Sequence, residues 1–498
     1  MSTLKPTRPN EDGYELWLRY APIANPDLLH TYRAAITHLV CEGASPTLLA
    51  ARAELCLALE RLLGRPLPST EPVTAGSALV VGTPHSSRVV AALNLQAALT
   101  PVGNEGYIIR NISAAGQPEI VIAANTDIGV LYGTFHFLRH LQMNQPLDDL
   151  NIVSLPKTQY RMLNHWDNLD RTIERGYAGF SLWDWHKLPD YLDPRYQDYA
   201  RANASIGING AVLTNVNASS LIMTRQYLVK MAALADVLRP YGIRVFIAPR
   251  FNAPMELGKL PTADPLDATV IAWWQQMVAT IYTIIPDFGG FLVKANSEGQ
   301  PGPHDYGRTH ADGANLLAEA LAPHGGVVIW RAFVYDPDVP EDRAKQAYSQ
   351  LVPLDGQFKE NALLQVKNGP IDFQPREPFH PLFGAMPQTP LLLELQITQE
   401  YLGCATHLAY LAPLFKETLD TDTYCQGPGS TVARVVDGSL DQHPVSGMAG
   451  VSNIGDDRNW CGHPFAAANW YAFGRLAWDH TLTAETIADE WLHQTFVN

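Results

Sequence analysis

Gly289-Gly290-Phe291-Leu292-Val293-Lys294-Ala295-Asn296-Ser297-Glu298-Gly299 changes character within four residues. Phe291, Leu292 and Val293 form the short apolar run of a strand buried on both faces. The chain then turns polar and reaches Glu298 beside a glycine. If the strand stays extended, alternation places Lys294, Asn296 and Glu298 on one face. A lysine and a carboxylate at the end of a buried strand need partners or a role. In a barrel of parallel strands, polar residues at strand C-termini are where catalysis sits. A strand-end salt bridge or a solvated turn explains the same residues, so the rest of the chain decides.

Working outward, seven further segments repeat the pattern. They are 160–168 (YRMLNHWDN), 207–217 (GINGAVLTNVN), 242–251 (GIRVFIAPRF), 326–335 (GVVIWRAFVY), 362–372 (ALLQVKNGPID), 390–401 (PLLLELQITQEY) and 447–455 (GMAGVSNIG). Each begins apolar and ends polar. Eight such strands, separated by helical segments or long loops, predict a (β/α)₈ barrel over residues 156–480 with its site on the C-terminal face. The region 402–446 reads as an excursion between the seventh and eighth strands.

Residues 1–155 predict a smaller α/β domain. The aromatic and aliphatic mixture at 14–24 reads as a strand, and Ser45-Pro46 as the N-cap and first position of a helix running to Gly64. Strands follow at 77–84, 105–113 and 118–125, then a helix from Thr126 to Gln142. Gly129 and Gly133, four apart on that helix, predict close packing against the sheet. No phosphate loop or dinucleotide fingerprint occurs. Beyond the barrel, 481–498 starts a helical region. Thr483 is its N-cap, and Ile487, Trp491, Leu492 and Phe496 are its apolar stripe.

The 498 residues carry a formal charge of −15. That excludes a nucleic-acid partner, which needs a basic surface, and means an anionic substrate must be caught by a local cationic cluster. Five scattered cysteines without a C-x-x-C predict a reduced compartment and no structural zinc. No apolar run is long enough for a membrane span and the first twelve residues lack a signal's apolar region, so a cytoplasmic location is expected.

Three carboxylates lie at predicted strand ends (Glu298, Asp372 and Glu400), and three cations lie close to the same ends (Lys294, Arg331 and Lys367). Paired carboxylates suit acid–base hydrolysis of a glycosidic bond, which needs one protonated and one ionised group. The cations suit an anionic sugar, Arg331 offering a planar fork for its carboxylate and Trp166 an apolar face for its ring. Lys367 and Asp372 differ in parity, which requires the strand to stop near Asn368-Gly369-Pro370. Glu394 competes with Glu400 for the third carboxylate. Position at the strand end favours Glu400.

Five segments, 165–185, 294–315, 367–378, 394–401 and 450–464, make this chain resemble the family 67 α-glucuronidases from about Glu15 to Phe496. The resemblance implies an N-terminal α/β domain, a (β/α)₈ catalytic barrel and a C-terminal helical domain. It implies release, with inversion, of glucuronic acid or its 4-O-methyl ether from the terminal xylose of xylooligosaccharides, through an α-1,2 bond. Glu298 then becomes the general acid, its pKa expected to be raised by its apolar surroundings, with Asp372 and Glu400 the pair that activates water, Lys294, Arg331 and Lys367 the carboxylate ligands, and Trp166 a pocket wall. No metal and no cofactor are implied. The family forms homodimers through the helical domain, most of which is expected to be missing here. Trp491 and Phe496 are then expected to be uncovered, aggregation to follow, and longer substrates to gain little. A silent sugar-acid binder is the alternative this suggests. A metal-dependent enzyme using His165, His304 or His310 is a third reading, against which these histidines lack ligand spacing.

Overall fold

The computed structural model describes residues 12–496, apart from 69–76, 115, 116, 218, 336–338 and 405. Five strands precede the barrel: β1 (His38–Cys41), β2 (Ala78–Gly82), β3 (Tyr107–Ala114), β4 (Gln117–Ala124) and β5 (Asn151–Ser154). They form one sheet in the order β1-β2-β4-β3-β5. β1, β2 and β4 are parallel, while β3 runs antiparallel to β4 and β5. β1 and β5 escaped the sequence reading because four residues carry too little periodicity.

The helix Pro46–Leu63 is capped by the Ser45 hydroxyl, which accepts from Leu48 N, and ends on Gly64 in the left-handed conformation. The helix Asp127–Gln142 is capped by Thr126. At Gly133 a Cβ would approach Ile122 Cγ2 to 2.7 Å, so the bare backbone lets helix and sheet touch.

Residues 14–24 are not a strand: a turn over 13–17 gives way to irregular backbone. Their aromatic density serves packing instead. Trp17 is fully buried edge-on against Trp470 and Tyr471, and its indole N–H donates to Ser205 Oγ at 2.7 Å.

Eight parallel strands then close a barrel: β6 (Tyr160–Asn164), β7 (Gly210–Val212), β8 (Arg244–Ile247), β9 (Gly290–Val293), β10 (Val327–Arg331), β11 (Ala362–Lys367), β12 (Leu391–Gln396) and β13 (Gly447–Val451). The expected segments all hold strands, each shorter than its polar end suggested. β9 begins on Gly290 at φ +140°, where a Cβ would sit 1.9 Å from Val327 O, so only glycine lets β9 and β10 approach.

Met162, Phe246, Leu292, Ile329, Leu363, Leu392 and Ala449 meet in one apolar layer inside the barrel. Two residues further along the chain, five of these seven inward positions turn polar: Asn164 after Met162, Lys294 after Leu292, Arg331 after Ile329, Gln365 after Leu363 and Glu394 after Leu392. That switch puts charge on the barrel axis above a dry floor.

The excursion 402–446 contains helices Ala412–Asp420 and Val432–Val436. Helices Ala467–Trp478 and Ala484–Thr495 close the described chain. They are welded to the N-terminal domain, because Glu490 takes Arg475 at 2.7 Å and lies 3.9 Å from Arg139. Trp491 is not uncovered as expected. It is buried beneath Phe465 and the half-buried Phe496, while Leu492, expected in the apolar stripe, faces outward.

Candidate active site

β9 delivers Lys294 immediately beyond its last residue. The lysine is 4% exposed, and its ammonium donates to Glu298 and to Asn217 Oδ1 at 3.1 Å. The backbone between does not stay extended. Asn296 and Glu298 both adopt positive φ, +47° and +51°, a conformation that non-glycine residues hold under strain. The turn folds Glu298 back onto Lys294 and sends Asn296 away, where its amide donates to Asp305 at 3.0 Å. The expected shared face of three residues is therefore two.

β10 ends on Arg331, 3% exposed. Its fork is occupied: Nε and Nη2 donate to both oxygens of the fully buried Glu394 at 3.0–3.1 Å. Only Nη1 is left for a further acceptor, so Arg331 offers an end rather than the expected fork. This pairing also separates the two rival carboxylates, Glu394 on β12 and Glu400 beyond its end. Glu394 belongs to Arg331, while Glu400 sits at the rim, accepting from Arg175 Nε at 2.5 Å and Gln396 Nε2 at 2.8 Å.

β11 stops at Lys367, as the parity of Lys367 and Asp372 requires. The chain turns back, and Asp372 Oδ1 accepts from Lys367 Nζ at 2.6 Å. Tyr401 OH donates to Asp372 Oδ2 at 2.6 Å, and Arg343 approaches the same oxygen to 3.7 Å. Trp166, Phe373 and Val451 form a small apolar cluster beside these charges. The Trp166 indole nitrogen is buried without a partner among the described residues. Phe333 packs between the cations, its ring 3.4 Å from Lys367 Nζ, with Lys294 and Arg331 just under 6 Å away.

The electrostatics follow from this crowding. Burial, then the Arg331 charge, pushes the Lys367 ammonium down to about 8 against the pull of Asp372 and Glu394. Lys294 is lowered by the same two causes. For Glu298, burial works upward, but Lys294, with Lys367 and Arg331 behind it, outweighs burial and holds the carboxyl below its ordinary value. The expected raised acid is thus a depressed one in the free protein, and its side chain is 43% exposed. Asp372 is also held low: burial is outweighed by Lys367, Tyr401 and Arg343.

Arg175, Arg343, Tyr401 and Phe333 were not singled out in the sequence. Tyr401 directly follows Glu400 and Arg175 lies within 165–185, but nothing local marks a loop residue that reaches across the barrel mouth. The histidines are occupied elsewhere: His165 meets Tyr199 OH at 2.9 Å, and His310 accepts from Trp330 Nε1 at 3.2 Å. Among the described residues no three His, Cys, Asp or Glu side chains group as metal ligands, and no helix is long and apolar enough to cross a membrane.

Similar architecture occurs in known glycosidases at low identity, which speaks to fold alone. A family GH138 enzyme targeting pectin rhamnogalacturonan II superposes with a TM-score of 0.55 at 14% identity, covering 89% of this chain and 63% of its own. A family GH115 4-O-methyl-alpha-glucuronidase with specificity for decorated arabinogalactans gives 0.53 at 12% identity, covering 92% of this chain and 59% of its own. In sequence, alpha-glucuronidase A of Emericella nidulans is 41% identical over 500 residues, 98% of this chain and 58% of that protein. A probable alpha-glucuronidase A of Neosartorya fischeri is equally similar over 498 residues, with the same coverage. The chain thus spans less than two thirds of the length of these relatives. Sequence profiles match throughout: the Glycosyl hydrolase family 67 N-terminus over 16–137, the middle domain over 140–460 and the C-terminus over 461–498. The barrel with its charged C-terminal end lies almost wholly within the middle-domain match, and the chain belongs to glycosyl hydrolase family 67.

Proposed function

We propose that this protein is an inverting α-glucuronidase, releasing glucuronic acid or its 4-O-methyl ether from α-1,2-linked terminal xylose of xylooligosaccharides. One observation carries the reading: three almost fully buried cations, Lys294, Arg331 and Lys367, converge with Glu298 and Asp372 at the C-terminal end of the barrel. Paired as they are with Glu298, Glu394 and Asp372, these cations keep further N–H donors among the described residues, and a uronate carboxylate takes charged donors better than a neutral hydroxyl. The names of the fungal relatives support the same substrate class.

In this reading the carboxylate lies against the two ammonium groups and Arg331 Nη1, and Trp166 borders the ring. Glu298 protonates the leaving xylose oxygen. Asp372 and Glu400 hold a water on the opposite face, Tyr401 and Arg175 fixing their carboxylates from the rim. The chemistry rests on the side chains alone. Inversion needs room for that water, with carboxyl groups roughly 6.5–9.5 Å from the acid rather than about 5–5.5 Å. NMR of the first-formed sugar should show β-glucuronic acid; a first-formed α-anomer would make one of these carboxylates a nucleophile. The reading of the chain as a silent sugar-acid binder has no observation in its favour among the described residues.

A further inference from the structure

The charges at the barrel mouth balance before any ligand arrives. Lys294, Arg331 and Lys367 face Glu298, Glu394 and Asp372, three against three, in contacts no longer than 3.1 Å. The next circle adds Arg175 and Arg343 against Glu174 and Glu400, which balance, and Glu377, held by the backbone N–H groups of Ile371, Asp372 and Gln374, which leaves no positive charge to spare. His380 adds nothing: burial, then Lys367, keeps its imidazole neutral, its pKa lowered to about 3. An anionic sugar therefore brings one negative charge more than this buried cluster can match. A buried excess charge is relieved most cheaply by taking up a proton.

Six carboxylates could receive it, and they are held unequally: Glu174 accepts from Asn215 and Asn217, and Glu377 from three backbone N–H groups. Glu394 is fully buried and accepts three bonds from Arg331. Asp372 accepts from Lys367 and Tyr401, with Arg343 nearby. Glu400 accepts from Arg175 and Gln396. Glu298 has one side-chain hydrogen bond among the described residues, from Lys294, and its side chain is more solvent-accessible than those of Glu174, Asp372, Glu400 and Glu394. Lys294 is also one of the groups a uronate would claim.

We infer that the substrate's own carboxylate arms the acid: on binding it draws Lys294 away from Glu298, and Glu298 takes up one proton from solvent. The proton later given to the leaving oxygen is thus acquired only when a carboxylate occupies the pocket. A neutral glucoside is then refused twice, once by weaker binding and again because its acid stays ionised and paired with Lys294. The inference rests on the proposed uronate site and adds to it a coupling between substrate recognition and acid protonation.

Calorimetry with sodium D-glucuronate near neutral pH, in buffers of differing ionisation heat, counts the protons taken up. Close to one proton per bound sugar is expected, with affinity falling up to about tenfold per pH unit as pH rises. Glu298→Gln should still bind glucuronate, with no uptake. Binding without uptake in the unaltered protein overturns this inference and leaves the uronate site standing. So does uptake that persists in Glu298→Gln and disappears in Asp372→Asn. Failure of glucuronate to bind at all removes the site itself, and the proposed function with it.

Discussion

At the N-terminal end of the barrel Arg161 makes five hydrogen bonds; at the C-terminal end Lys367 makes one. Both are buried cations paired with a carboxylate, and the difference lies in what else surrounds them. Arg161 donates to both oxygens of Glu105 and to the backbone carbonyls of Thr158, Gln159 and Gly207. It is fully buried, with the Trp478 ring 5.2 Å from its guanidinium. Nothing is left for a ligand, although a cleft of about 780 Å³ opens beside it between the 101–105 loop and the strand starts. Lys367 has three donors and a single hydrogen-bond acceptor among the described residues. A saturated cation fixes structure, whereas an under-satisfied one waits for a partner.

The largest effect expected at the waiting end is on chemistry. Glu298→Gln should cut release from xylooligosaccharides by about 10²–10⁴-fold, the range for a general acid. It should spare a glucuronyl fluoride, whose leaving group needs no proton. Equal loss on both substrates, measured as kcat/KM, would take the acid role away from Glu298.

At the saturated end the same kind of change should strike stability instead. Arg161→Met leaves Glu105 without its counter-ion, only Asn209 still donating to it, and strips the Thr158 and Gly207 carbonyls of the Arg161 hydrogen bond; breaking such a pair costs about 3–5 kcal/mol. The urea midpoint should fall accordingly, while kcat of the folded protein stays as it was. A fall in kcat with an unmoved midpoint would erase the distinction between the two ends.

Lys367→Met sharpens the contrast with the smallest effect. Its ammonium is held at about 8 in the folded protein, below the free-lysine value of about 10.4. Between those values the unfolded chain binds more protons, so stability rises with pH there; below about 8 the cost of the buried charge is fully present. The variant should be as stable as the parent at pH 7, within about 1 kcal/mol, or more so. Any such gain should vanish as pH climbs from about 8 towards 10.4. A loss of several kcal/mol at pH 7 would make Lys367 a second Arg161.

Much of this was legible in the residues, for reasons the two ends also explain. Inward positions two apart, such as Leu292 and Lys294 or Ile329 and Arg331, carry the change from apolar to charged that marks a parallel barrel's working end, and local order is enough to read it. The Lys367–Asp372 pair was likewise readable, because Asn368-Gly369-Pro370 breaks the strand in sequence. What escaped depended on distant partners. Glu400 was preferred to Glu394 for its place at the strand end and by the family resemblance, but what Glu394 does instead shows only in its pairing with Arg331, 63 residues away. Arg175 reaches Glu400 across 225 residues, which no periodicity encodes. Glu298 was read from its apolar neighbours in the chain, whereas three cations in space set its charge. Trp491 was expected to lie uncovered, whereas Phe465, from another segment, packs against it.

The deep setting of the three cations also shapes how a substrate arrives. Lys294, Arg331 and Lys367 are each no more than 4% exposed, whereas the molecule as a whole carries −15. Seen from beyond a Debye length, about 10 Å at 0.1 M salt, the protein repels the anionic sugar proposed as its ligand. Capture is therefore a short-range event, decided in the last few ångströms of approach rather than by steering. Adding salt from a low starting point should speed association, the reverse of what an exposed basic patch produces. Such a molecule trades encounter rate for selectivity, because passing anions see only the repulsion and never the pocket.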